Sequence, residues 1–189
     1  MAYELVVIGT SLGGIRALST LLSGLSQDFC MPIAIVQHRG KDSDELLINF
    51  LQRHSRLPIC EAQDKQAIVA GHVYLAPPDY HLLVEKGCFA LSTEAPVSYA
   101  RPSVDVLFES AAVAYKQNVI AVVLTGANRD GAQGAAQIKQ RGGVVIVQDP
   151  NTCENSAMPN ATIAATAINR ILSIEEIAAF LNSCCQSED

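Results

Sequence analysis

A serine flanked by glycines, a histidine and an aspartate are the residues of this 189-residue chain whose types suit acyl transfer. Ser11 lies in Gly9-Thr10-Ser11-Leu12-Gly13, which fits G-x-S-x-G. Where a strand turns sharply into a helix, flanking glycines let the turn close and lift the serine hydroxyl above the sheet. Free backbone N–H groups and the dipole at such a helix N-terminus favour negative charge, including the oxyanion of an acyl-transfer intermediate. Acyl transfer also needs a base to take the serine proton and an acid to fix the base's tautomer and stabilise its cation. His38 and Asp130 are the right types for those two roles. Other readings of the turn stay open at this point. Gly9, Ser11 and Gly14 match the three places of a G-x-G-x-x-G dinucleotide fingerprint, but serine stands where that fingerprint needs bare backbone, and the next strand ends in His38 rather than an acid for a ribose. Ser11 could equally be a helix cap. His38 could be a histidine satisfied by backbone at a strand end.

The elements that must position these residues follow from the apolar pattern. Glu4 to Ile8 is a short apolar strand running into the Ser11 turn, and Ile15, Leu18, Leu21 and Leu22 follow at helical spacing. Pro32 to Gln37 is a second buried strand that delivers His38 at its C-terminal end. Asp42 to His54 reads as a helix capped by Asp42 or Ser43, with Leu46, Leu47, Phe50 and Leu51 as its stripe. Leu57 to Glu61 is a third strand, and His72 to Ala76 reads as another short apolar run. His81 to Val84 and Cys88 to Leu91 flank Glu85-Lys86-Gly87 as an antiparallel edge hairpin. Arg101-Pro102-Ser103 opens a helix from Val104 to Gln117. Val119 to Leu124 has no polar alternation and must be a central strand. It runs into the turn Thr125 to Gly131 and sets Asp130 at its end. Helix Ala132 to Arg141, strand Gly143 to Gln148, an irregular stretch Asp149 to Pro159, and helices Ala161 to Asn169 and Ile174 to Leu181 complete the chain. The expected fold is α/β, a doubly wound, mostly parallel sheet with an antiparallel edge hairpin, formed as one domain over 1–189. In such a sheet Ser11, His38 and Asp130 all open on the C-terminal rim, where ligands bind.

Composition narrows the function. With 49% hydrophobic residues the chain can bury a sizeable core, and a net charge of −6 without a basic run argues against nucleic acid as the partner. No run approaches the roughly 18 apolar residues of a membrane span, so a soluble, cytoplasmic protein without membrane insertion is expected. The four histidines show no metal-ligand spacing, and neither metal nor cofactor is expected. Cys30, Cys60, Cys88, Cys153, Cys184 and Cys185 form no C-x-x-C pair and read as reduced core residues, apart from the adjacent pair in the tail. Arg16, Arg39, Lys41, Arg101 and Arg129 lie near the rim elements and could steer an acidic partner segment.

Val6 to Gly14, Ile35 to His38, Gly71 to Pro77, Arg101 to Phe108, Leu124 to Ala132 and Met158-Pro159 resemble, in order, the catalytic domain of the CheB family of chemotaxis receptor methylesterases. The resemblance implies hydrolysis of glutamate γ-methyl esters on the cytoplasmic helices of chemoreceptors, often with deamidation of receptor glutamines. It assigns Ser11 as nucleophile, His38 as general base and acid, and Asp130 as its orienting partner. It also places oxyanion N–H groups at Leu12, where the family commonly has threonine, and in the Ala127-Asn128 turn, where it commonly has Met-Gly. Thr10, Asn128, Arg101 and Met158 are candidates for contacting substrate. The receiver domain that usually precedes this domain in the family has no counterpart in these 189 residues, so an active site would be open unless a separate regulatory partner covers it. A catalytically weak binding or signalling module of the same fold is the alternative reading.

Overall fold

The computed structural model describes residues 3–39 and 46–186. Seven strands form one sheet: β1 (Leu5–Thr10), β2 (Ile33–Gln37), β3 (Ile59–Glu61), β4 (Val73–Leu75), β7 (Val119–Val123), β8 (Val144–Gln148) and β9 (Arg170–Leu172). Their order is β3-β4-β2-β1-β7-β8-β9, and every pairing is parallel. β1, β2 and β7 are buried along their whole length, as their unbroken apolar runs require. Side chains alternate between two cores. Leu5 and Val7 of β1 face α3 (Val104–Tyr115) and α4 (Ala132–Gln140) with Phe108, Ala111 and Ala135. Val6 and Ile8 face α1 (Gly14–Gly24) and α6 (Ile174–Cys185) with Leu18, Leu21, Ile177 and Leu181. Each large apolar side chain so buried is worth about 1.5–3 kcal/mol relative to exposure, which fixes the register of the central strands.

The chain leaves β1 through α1 to reach β2 on one side, while β7 lies on the other. The strand order therefore reverses at β1, the place where open α/β sheets present a crevice at their strand C-termini. Ser11 follows β1, His38 follows β2 and Asp130 lies in the turn after β7, so three adjacent strands carry them to one rim.

The structure departs from the sequence reading in several places. The hairpin β5 (His81–Glu85) and β6 (Cys88–Ser92) pairs antiparallel but forms its own sheet instead of extending the edge of the main one. It packs on α3, where the Val84 N–H donates to Ser110 Oγ at 3.0 Å. Of the helix read from Asp42 to His54, α2 (Leu46–Gln52) is present, and Lys41, Asp42 and Ser43 lie outside the described residues. α3 stops at Tyr115, and a single 3-10 turn, Lys116–Asn118, follows with Lys116 at φ 52°. α5 (Ala157–Ala165) starts before Pro159, because proline in a first turn sacrifices no intrahelical hydrogen bond. The helix expected to run to Asn169 ends at Ala165, and β9 follows in the gap before α6, its three residues too few and too exposed to show a strand pattern.

The cysteines also need correction. None is fully buried, and Cys30 and Cys185 are joined as a disulfide with Cα atoms 5.5 Å apart, tying the segment before β2 to the end of α6. The bridge spans 155 residues of sequence, so no local spacing announces it. Cys184 is a free, partly buried thiol packed against the α1–α6 core. No helix among the described residues is long and apolar enough to cross a membrane.

Candidate active site

The turn after β1 is held from three sides. The Ser11 N–H donates to the Thr125 carbonyl at 3.0 Å, and Thr10 Oγ1 donates to the same carbonyl at 2.8 Å. Gln37 Nε2 donates to the Ser11 and His38 carbonyls, each at 2.9 Å, which fixes the serine turn to the histidine segment. Thr125 Oγ1 donates to the Leu12 carbonyl at 2.9 Å. Gly13 takes φ +79°, a left-handed conformation that favours glycine, and serves as the N-cap of α1 without any side-chain cap bond. Ser11 is therefore not the cap of this helix. Gly126 allows the β7 turn to approach, since a Cβ there would lie 3.0 Å from Ser11 Cβ and 2.0 Å from the Met158 sulfur.

His38 and Asp130 form the close pair of the site: Nε2 donates to Oδ2 at 2.7 Å, with the aspartate side chain fully buried and the imidazole 14% exposed. The rest of the carboxylate is saturated. Asp130 Oδ1 accepts from Ser103 Oγ at 2.8 Å and from the Asp105 N–H at 2.9 Å, and Oδ2 accepts from the Val104 N–H at 2.7 Å. Asp130 thus caps the N-terminus of α3, where the dipole favours its charge. Asp105 returns the favour to α4, its Oδ1 accepting from the Gly131 and Gly134 N–H groups at 3.0 and 2.7 Å. Two helix starts are locked together by two carboxylates, one of which carries the histidine.

These environments push the two acids apart. Burial raises the Asp130 carboxyl, but the hydrogen bonds from His38 and from the Asp105 and Val104 N–H groups outweigh it, and the net shift is downward. Burial, reinforced by the charge of Asp130, pushes Asp105 up to about 6 against the pull of the Gly134 and Gly131 N–H groups. A raised carboxyl favours the protonated form in the fold, so ionising Asp105 costs stability as pH rises from the unfolded value near 4 through 6. Asp105→Asn keeps an oxygen for both glycine N–H groups and removes that cost. The variant should gain on the parent as pH rises from 4 to 7, by on the order of 1 kcal/mol after residual solvent screening. Urea unfolding at the two pH values checks it, and a difference that is flat or of opposite slope contradicts it.

A cavity of about 600 Å³ is lined by Ser11, Leu12, Ile15, Gln37, His38 and Phe50. Ser11 and His38 therefore face one space, though among the described residues the Ser11 hydroxyl makes no hydrogen bond to His38. The second ring nitrogen, Nδ1, instead accepts from Asn128 Nδ2 at 2.9 Å. Among the described residues the Leu12 and Ala127 N–H groups donate to nothing, as oxyanion donors require. Thr10 and Met158 are fully buried and offer no side chain to a substrate. Arg101 lines a second cavity with His38 and Asn128, but its guanidinium is engaged by Asp79 and by the Thr93 and Glu94 carbonyls. Arg39 is likewise paired, with Glu61 at 2.7 Å. Two arginines of the expected basic cluster thus have their charge met within the fold, which weakens the case for steering.

Ser103, Asp105 and His81 support the site, and no local sequence signal marks them, although Ser103 and Asp105 fall in the Arg101 to Phe108 segment. His81 does not serve as a second base. Its Nδ1 accepts from the Ser103 N–H at 3.2 Å and its Nε2 meets the Ala95 carbonyl at 3.1 Å, with the side chain buried. Ser103 donates its hydroxyl straight to Asp130, with no imidazole between them.

Residues 6–181 match the family described as CheB methylesterase. The chain belongs to the CheB methylesterase family. A protein of Leptospira interrogans is 49% identical over 179 residues, covering 94% of this chain and 93% of that protein. A protein-glutamate methylesterase/protein-glutamine glutaminase of Anaeromyxobacter dehalogenans is 43% identical over 174 residues, and the match takes in 92% of this chain but about half, 51%, of that protein. The crystal structure of the Thermotoga maritima CheB methylesterase catalytic domain superposes with a TM-score of 0.91 at 35% identity, covering 97% of this chain and 99% of that one. The seven-stranded parallel sheet with a separate hairpin is thus the architecture of a CheB catalytic domain. Among the described residues no three His, Cys, Asp or Glu side chains gather as a metal site would need.

Proposed function

We propose that this chain, as a single CheB catalytic unit over 1–189, is a protein-glutamate methylesterase that also deamidates protein glutamine, and that Ser11, His38 and Asp130 are its catalytic residues. The observation that carries the reading is the 2.7 Å His38–Asp130 pair opening on the cavity that Ser11 lines. With Nε2–H committed to Asp130, Nδ1 is the nitrogen left to act as base. Ser11 Oγ attacks the γ-carbonyl of a methylated glutamate, and its proton passes to Nδ1. The oxyanion is received by the Leu12 and Ala127 N–H groups. Nδ1–H then protonates the departing methoxide, methanol leaves, and a water activated by the same nitrogen releases the glutamate. Glutamine follows the same route with ammonia as the product. Asp130 holds the tautomer and stabilises the imidazolium.

The substrate we infer is a cytoplasmic helix of a methyl-accepting chemoreceptor, with a separate protein as the regulatory partner. The apolar wall of the cavity, with Leu12, Ile15 and Phe50 exposed, suits the side of an amphipathic helix. A module that binds receptor but turns over slowly is favoured by one contact, the Asn128 amide on the base nitrogen. Methanol release from methylated receptor separates the two. Release that saturates with receptor concentration supports the esterase, and saturable binding without methanol selects the binding module.

A further inference from the structure

We propose that Asn128 is a positioning residue that holds the proton-accepting nitrogen of His38 in the resting site and must hand it over to Ser11 for the reaction to start. This rests on His38 being the base. The side-chain amide is fixed at both ends. Its Oδ1 accepts from the Asp130 N–H at 3.1 Å, so its Nδ2 must be the end that faces His38 Nδ1 at 2.9 Å. An NH2 group only donates, so Nδ1 must be the unprotonated nitrogen and Nε2 must carry the proton given to Asp130. The three bonds close a circuit from Asp130 to Asn128 to His38 and back to Asp130, and each donor in it meets an acceptor.

That circuit sets one tautomer, which is the one the reaction needs, and at the same time occupies the reacting atom. Neutral Nδ1 has one lone pair in the ring plane, so the Ser11 hydroxyl and the Asn128 amide compete for it. Once Nδ1 takes the serine proton, its N–H would point at the Asn128 NH2 group, donor against donor. The amide has to leave before the imidazolium forms. It has room to do so, because Asn128 also lines a cavity of about 550 Å³ with Arg39, Tyr99 and Arg101. A substrate that reaches the amide's other hydrogen-bond partners, or simply fills the cleft, would displace it and bring Ser11 and His38 into contact.

Asn128→Ala frees the lone pair, and Ser11 should then react with a fluorophosphonate about five to ten times faster than in the parent, the factor of one ordinary neutral hydrogen bond. Asn128→Asp keeps the shape but offers a carboxylate, which stabilises a protonated Nδ1, and labelling should fall below the parent rate. In the 15N spectrum of the parent, His38 Nδ1 should be the pyridine-like nitrogen, and in Asn128→Ala it should move toward the position of an unbonded one. A general structural role for Asn128 would slow both variants and leave the ring nitrogens unchanged. Asn128→Ala labelling at or below the parent rate in a folded protein overturns the proposal, as does a protonated Nδ1 in the resting parent, which is read without any variant. If neither parent nor variant labels at Ser11, the catalytic assignment itself is what has failed.

Discussion

The Ser11→Ala protein is expected to demethylate receptor about 10⁴ to 10⁶ times more slowly than the parent, and adding His38→Ala should cost little more. Without Oγ there is no acyl-enzyme, and without the imidazole there is no group to take the proton, so either loss removes the same pathway. What survives is the rate supplied by binding and by the Leu12 and Ala127 N–H donors, which stay in place because Ser11 is anchored through its backbone to Thr125. Single-turnover methanol release with each variant and the double variant checks both the size of the loss and its lack of additivity. Multiplying losses would mean that the two residues act in separate steps.

Asp130→Ala should damage the protein twice. It removes the partner of Nε2, at a cost of about 10² to 10⁴ in rate. It also strips the acceptor from Ser103 Oγ and from the Val104 and Asp105 N–H groups, all buried. At roughly 1–3 kcal/mol for each orphaned donor, less what water entering the space recovers, we expect a loss of about 3–5 kcal/mol in urea unfolding. Asp130→Asn should not restore either quantity fully. An NH2 group in place of Oδ2 would confront the Val104 N–H and the proton on His38 Nε2, and in place of Oδ1 it would confront the Asp105 N–H. Unchanged stability in Asp130→Ala would mean that the start of α3 does not depend on this carboxylate.

The parts of the site set by local pattern were legible in the sequence. β1, β2 and β7 are unbroken apolar runs, so their central, parallel placement and the delivery of Ser11, His38 and Asp130 to one rim follow from burial alone. The hairpin was legible from its turn, but its separation from the main sheet was not, because Leu82, Val84 and Phe89 pack into the core shared with Leu107 and Phe108 of α3, a contact with no local signal. The support around Asp130 was not legible, because Ser103 and Asp105 reach it across 27 and 25 residues and each looks like an ordinary helix-start residue. The Asn128–His38 contact joins positions 90 residues apart. Thr10 was a reasonable substrate candidate beside Ser11, yet it is buried and its hydroxyl turns inward to donate, with the Ser11 N–H, to the Thr125 carbonyl.

Mass spectrometry of the folded protein after fluorophosphonate treatment tests the central claim most directly. The account predicts a single stoichiometric adduct on the peptide containing Ser11, lost in Ser11→Ala and strongly slowed in His38→Ala. An adduct on another serine, such as Ser103, or a folded protein that binds receptor yet carries no adduct at all, would contradict it.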